Sequence, residues 1–272
     1  MPPAKTEQTV AGSIENIGRT TVAAIEEVGN AGGMVVESFY WLFFGPRLRQ
    51  PVRADAVFVQ MMEIGIYAIP IVGLMAATIG VMLAIQGIFT LRLFGAESRV
   101  TIGIVLSVTR EFAPLITGIL VAGRSGSALA ARIGTMKINQ EIDALKVMGI
   151  NPVRFLVVPA LLATLVMVPC LTFFSDMVGL FAAGLYVKAD LGLTLSAYLE
   201  QVIDVLTVDH LMHGLGKSVI FAVLIAVIGV VNGASVKGGA EGVGKVTTRA
   251  VVQSISAIVV TDMIFAFVAT RT

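Results

Sequence analysis

The sequence predicts an all-α integral membrane protein of about five transmembrane helices, with an N-terminal interfacial and elbow region and a short amphipathic helix in a cytoplasmic loop. Three observations carry this. Of the 272 residues, 56% are hydrophobic and 14% charged, against about 25% charge in an ordinary soluble domain, so the chain cannot cover a globular surface with polar groups. Apolar stretches of 20 or more residues alternate with short segments that hold most of the Lys, Arg, Asp and Glu, a pattern of spans and loops. The loops differ in the sign of their charge, basic stretches against one acidic loop, with the Arg92, Glu97 and Arg99 connection neutral.

Residues 1–54 form the interfacial and elbow region, and 55–272 the transmembrane domain. Ile14, Ile17, Val22, Ile25 and Val28 approximate one helical face, with Glu15, Arg19, Glu26 and Glu27 between them, as in a helix lying along the membrane surface. With those acids and no continuous apolar core, the N-terminus does not resemble a cleaved signal. Phe39, Tyr40, Trp41, Phe43 and Phe44 in residues 34–44 form an aromatic cluster too short to span, suited to an elbow at the bilayer boundary.

Spans are expected at about 56–91, 100–123, 155–187, 214–235 and 250–270. The first exceeds the ~20 residues a crossing needs and must tilt, bend or break, with Pro70, Gly65, Gly73 and Gly80 as the candidate places. Loop 124–154 holds Arg124, Arg132, Lys137, Lys146 and Arg154 against Glu141 and Asp143, whereas 188–213 holds Asp190, Glu200, Asp204 and Asp209 against Lys188. The first is therefore cytoplasmic and the second external. The segments with Arg47 to Arg53 and with Lys237, Lys245 and Arg249 also read as cytoplasmic. The N-terminus is then inside and the C-terminus outside.

Several chemistries are disfavoured. A net charge of +1 without a basic face gives no case for nucleic acid. Lone Cys170 cannot form an internal disulfide, and His210 and His213 lack a third metal ligand. Gly239 to Val246 fits a phosphate-binding loop until Val246 stands where Ser or Thr is required, and no strand precedes it. The run His213 to Ser218 fails at Leu211, and its lysine opens a span. No catalytic pair or metal set can be assembled, so any ATP that drives this protein binds another subunit.

Charges inside the spans are more informative, because an ion in hydrocarbon costs at least ~2.5 kcal/mol and normally faces a cavity or partner. Arg110 and Glu111 lie mid-span, and Asp262 lies in the last span. The depths of Arg110 and Asp262 differ by only about 3 Å at 1.5 Å per residue, which suggests a salt bridge between them. Gly229 and Gly233 form a G-x-x-x-G that permits close helix packing, within one subunit or between two.

In 137–152, K-I-N-Q-E-I-D-A-L-K-V-M-G-I-N-P, residues Ile138, Ile142, Leu145 and Gly149 follow helical spacing, and Asn151-Pro152 supplies a stop. This short helix suits either the lipid surface or a partner's groove. Together with A-G-R-S-G-S-A-L-A-A-R-I-G-T-M at 122–136, the segment resembles the MlaE/YrbE permeases of MCE transport systems. The likeness runs from Gln86-Gly87 through R-E-F-A-P at 110–114 to T-T-R-A-V-V at 247–252 and Asp262.

The resemblance implies the permease subunit of an ATP-driven lipid transporter of the bacterial inner membrane, serving outer-membrane lipid asymmetry. Its partners would be a second copy of itself, two ABC ATPase subunits that bind ATP and Mg, a hexameric periplasmic MCE-domain protein, and a small accessory subunit on the ATPase. Phospholipid would be the cargo. It places Phe94, Arg110, Glu111 and Asp262 at the lipid cavity and Glu141, Asp143, Leu145, Met148 and Gly149 on the helix that couples to the ATPase. Phe94 departs from relatives that carry Tyr there. The alternative is an ion-gradient-driven carrier of a small amphiphile, with Glu111 and Asp262 as ion sites, but paired inverted repeats are not seen.

Overall fold

The computed structural model describes residues 53–269 continuously and scattered positions between Gly18 and Trp41. The described residues hold helices and turns without a strand. Five helical segments are long and apolar enough to cross a membrane: Ala54–Arg92, Glu97–Ile138, Val153–Leu191, Val208–Ala234 and Gly239–Val268, here spans 1 to 5. Most of the interfacial helix and elbow expected near the N-terminus lies outside the described residues. The described positions from Gly18 to Trp41 are helical. Glu37 there accepts a hydrogen bond from the Asn151 side chain at 2.8 Å.

Span 1 breaks where proline and glycine allow it. Helix α1 (Ala54–Ile64) ends at Gly65, a 3₁₀ turn covers Ile66–Ala68, and α2 (Ile69–Arg92) restarts with Pro70 in its first turn, where a missing N–H costs nothing. Gly73 and Gly80 lie within α2, which continues through both. At Gly80 a Cβ would sit 2.1 Å from the Gly179 carbonyl oxygen, so this glycine brings span 1 against span 3, backbone to backbone.

Span 2 is composite: α3 (Val100–Ser107), a π-helical turn Val108–Phe112, α4 (Ala113–Val121), a second π-helical turn Ala122–Gly126, and α5 (Ser127–Ile138). It runs beyond the expected end near 123. A 3₁₀ turn Glu97–Arg99 precedes α3 and a third π-helical turn Val153–Val157 opens span 3; the remaining α-helices are α6 (Glu141–Val147), α7 (Val158–Leu191), α8 (Leu195–Val205), α9 (Val208–Ala234) and α10 (Gly239–Ala269). The charged stretch 236–249, expected as loop, mostly forms the first turns of α10, where Lys245 pairs with Glu241 at 2.7 Å across i,i+4. Charge marks where lipid ends, not where the helix ends.

The core lies where spans 2, 3 and 4 meet, around Val121, Leu171, Phe221 and Ile225. Gly229 and Gly233 pack against span 2 of the same chain, with a Gly233 Cβ falling 2.7 Å from the Ala130 carbonyl oxygen. Span 1 and span 5 instead turn broad apolar faces outward, including Leu74, Phe89, Val260 and Met263, as lipid-facing helices do.

Helix α8, inside the segment expected as an acidic loop, seals the end of the bundle opposite α6. Thr194 caps it by accepting from the Ala197 N–H. Tyr198 is fully buried and donates to the Leu180 carbonyl at 3.1 Å. Burial pushes its phenol up to about 12, whereas a free tyrosine ionises near 10. Its stabilising contribution is therefore complete below about pH 10 and lost as pH climbs towards 12. Tyr198→Phe is expected to lower stability by about 1 kcal/mol at neutral pH and to flatten the alkaline decline, as measured by thermal melting at stepped pH.

Candidate functional site

Helix α9 begins earlier than hydropathy suggests, because Thr207 caps it by accepting from the His210 N–H and Asp209 occupies its first turn. Lys217 consequently lies well inside span 4, about 14 Å from its start at 1.5 Å per residue. Its side chain is completely buried. The ammonium lies 2.6 Å from Glu111 Oε2 and 3.0 Å from Asp262 Oδ1. One cation on span 4 thus holds two carboxylates, one on the π-helical turn of span 2 and one on span 5.

Two backbone features make this meeting possible. The π-helical turn Val108–Phe112 carries Arg110 and Glu111, and such widened turns re-aim side chains at functional sites. One helical turn before Lys217, a Cβ on Gly214 would fall 2.1 Å from the Thr109 carbonyl oxygen. The absence of a side chain there allows α9 to lie directly on the π-helical turn.

The expected bridge between Arg110 and Asp262 does not form. Lys217 lies at the same depth and takes the acid instead. Arg110 is half-buried and makes no ion pair or hydrogen bond among the described residues. His213, one turn from Lys217, stacks edge-on against Phe265 of span 5, with centroids 6.2 Å apart, and is within electrostatic range of Arg110, Lys217, Glu111 and Asp262. The two cations and two carboxylates balance, so the cluster is neutral as a whole, which limits the cost of holding it among apolar helices.

Glu111 remains 37% exposed and Asp262 14%, so the cluster opens on one side. Phe94 is not part of it. It sits in the connection between spans 1 and 2, 77% exposed.

The coupling-helix residues fall on α6, seven residues between left-handed Gln140 (φ 59) and Gly149 (φ 74). The positive φ explains the glycine at 149. Leu145 is buried within the chain, whereas Val147 and Met148 are 88% and 64% exposed. Glu141 and Asp143 are exposed in the first turn. Asn151 also starts the next span, its side-chain oxygen accepting from the N–H groups of Val153 and Arg154.

Residues 57–268 match the family described as Permease MlaE. The chain belongs to the MlaE permease family. Among its relatives, a probable ABC transporter permease of Rickettsia typhi is 31% identical over 254 residues, covering 92% of this chain and 96% of the relative. A probable ABC transporter permease of Synechocystis is 37% identical over 204 residues, or 75% and 77% of the two chains. The intermembrane phospholipid transport system permease MlaE of Haemophilus influenzae is 29% identical over 252 residues, or 92% and 95%. As an MlaE permease the chain is a membrane-embedded transport subunit rather than an enzyme, and ATP hydrolysis belongs to a separate subunit.

Proposed function

We propose that this permease carries a phospholipid, held as acyl chains against apolar span faces with the headgroup at the Arg110, Glu111, Lys217 and Asp262 cluster. The observation that carries the reading is the cluster's asymmetry. Lys217 is consumed by two carboxylates, while the neighbouring Arg110 guanidinium has no ion-pair partner among the described residues. A free guanidinium beside a half-open carboxylate offers bidentate hydrogen bonds to a phosphate.

In this reading two copies enclose the lipid in a bacterial inner membrane, N-termini inside and C-termini outside. An ABC ATPase with ATP and Mg docks at α6 through exposed Val147, Met148 and Glu141. A periplasmic MCE-domain hexamer receives or delivers the lipid at the α8 end. Leu145, turned inward, supports α6 rather than touching the ATPase.

Mass spectrometry of lipids retained by the purified complex tests the headgroup site. Arg110→Ala is expected to lower retained phospholipid roughly tenfold, the worth of one charge-assisted contact of about 1.4 kcal/mol, with only a small fall in melting temperature, because Arg110 balances the cluster's charge but makes no ion pair among the described residues. Full retention would refute the headgroup assignment.

A further inference from the structure

A second polar site lies on the same span, about 20 Å from Glu111 towards the α6 end at 1.5 Å per residue. The π-helical turn Ala122–Gly126 carries Arg124 and Ser125 there, just as the first π-helical turn carries Arg110 and Glu111. A cavity of about 410 Å³ opens between this turn, the start of α5 and helix α1, lined by Gln60, Glu63, Arg124, Ser125, Ala128 and Arg132 among others. That volume suits a small ligand or a headgroup.

Its charges are arranged rather than scattered. Arg124 Nη1 donates to the Glu63 backbone carbonyl at 2.7 Å, which fixes the guanidinium against α1 and leaves its other donors available. Arg132 lies 3.8 Å from the Glu63 carboxylate, beyond hydrogen-bonding distance. Both guanidiniums and the carboxylate therefore retain capacity for a ligand. Ser125 has 9% relative exposure, and its hydroxyl has no hydrogen-bond partner among the described residues. Buried polar groups are normally paired, so an orphan marks a place built for something else.

We infer that this cavity binds the zwitterionic headgroup of a glycerophospholipid, its phosphate on Arg124 and Arg132 and its ammonium on the Glu63 carboxylate. The chemistry follows from two cations and one anion around one cavity. A purely anionic headgroup would meet Glu63 unfavourably, and a cation would meet two arginines. The acyl chains have a path, since Val59, one turn before Glu63 on the same face, and neighbouring Phe58 and Met62 are 56%, 66% and 49% exposed. The site goes beyond the central cluster and does not depend on it. It would give the permease a lipid station near the membrane surface at the α6 end, distinct from the one deep among the spans.

The test uses the full-length permease in phosphatidylglycerol nanodiscs doped with phosphatidylethanolamine carrying a photoreactive group on its glycerol, with adducts mapped by peptide mass spectrometry. Adducts are expected on the peptides holding Gln60 to Glu63 and Ser125 to Leu129. Arg132→Gln should lower them at least about fivefold through loss of a charge-assisted contact. Ala128→Trp should lower them similarly by filling the cavity, and it replaces an exposed residue, so it leaves the core intact. Both variants must elute as monodisperse protein. Glu63→Gln should shift labelling from the ethanolamine lipid towards a phosphatidylglycerol probe.

Unchanged labelling in Ala128→Trp overturns the assignment, as does displacement of the lipid probe by millimolar inorganic phosphate, which would make this a soluble-anion site. Loss of adducts near Glu111 and Asp262 alone would count against the central headgroup site and leave this one standing.

Discussion

Replacing Lys217 with methionine is expected to deplete the monodisperse, folded permease recovered in detergent. The lysine is fully buried and its ammonium lies 2.6 and 3.0 Å from two carboxylates. Removing it leaves Glu111 and Asp262 converging on one point without their counter-charge. Breaking a buried pair by deleting one partner typically costs about 3–5 kcal/mol, a large share of a total stability of about 5–15 kcal/mol. Glu111 is 37% exposed and partly screened by water, so most of the penalty falls on Asp262.

The triple variant Lys217→Met, Glu111→Gln, Asp262→Asn removes the three paired charges together, leaving only half-buried Arg110, and should recover part of the lost melting temperature. Neutral replacement of a whole buried network is far less costly than its disruption. It should not recover phospholipid retention, because the polar cluster is gone. Thermal melting followed by gel filtration reads the first result and lipid mass spectrometry the second. A single variant melting within about 2 °C of the wild type, the shift of less than 1 kcal/mol, would show that the cluster carries little of the fold.

Hydropathy located every span but misjudged where helices begin and end, and the central cluster shows why that matters. With span 4 expected from about 214, Lys217 is placed at the rim of the span rather than inside it. The signal that would have placed it deeper was the capping sequence Thr207-Val208-Asp209, which starts α9. Hydropathy averages over side chains and is blind to a cap, whereas the backbone N–H groups are not. The same blindness hid α8 and the first turns of α10, whose polar residues lie outside hydrocarbon yet remain helical.

Which acid meets which base was less legible still. Depth along a helix follows from counting residues, but the direction a side chain points depends on helix phase. Two π-helical turns alter that phase within span 2. Each inserts an extra residue into the turn and rotates everything after it, so a 3.6-residue wheel drawn through Arg110 does not predict its neighbours. Arg110 and the cavity-lining Arg124 both lie on those two turns, which no local propensity announced.

Gly214→Val is expected to damage this geometry from the backbone side, without touching a charge. A Cβ at 214 would lie 2.1 Å from the Thr109 carbonyl oxygen, a backbone atom that cannot rotate away. Helix α9 must therefore shift off the π-helical turn. Overpacking of this kind usually costs about 1–3 kcal/mol, and a shift of even 1 Å would stretch the pair between Lys217 and Glu111 beyond hydrogen-bonding distance. Lower melting temperature and phospholipid retention are therefore expected together.

Gly216, two residues on in the same helix, has nothing within 4 Å of its Cβ position and serves as the control. Gly216→Ala should leave lipid retention unchanged and raise stability by about 0.5–1 kcal/mol through reduced backbone entropy. If Gly214→Val and Gly216→Ala behave alike, the close approach at Thr109 does not set the position of Lys217. If they diverge, a single missing methyl group is what allows the cation of span 4 to reach the acids of its two neighbours.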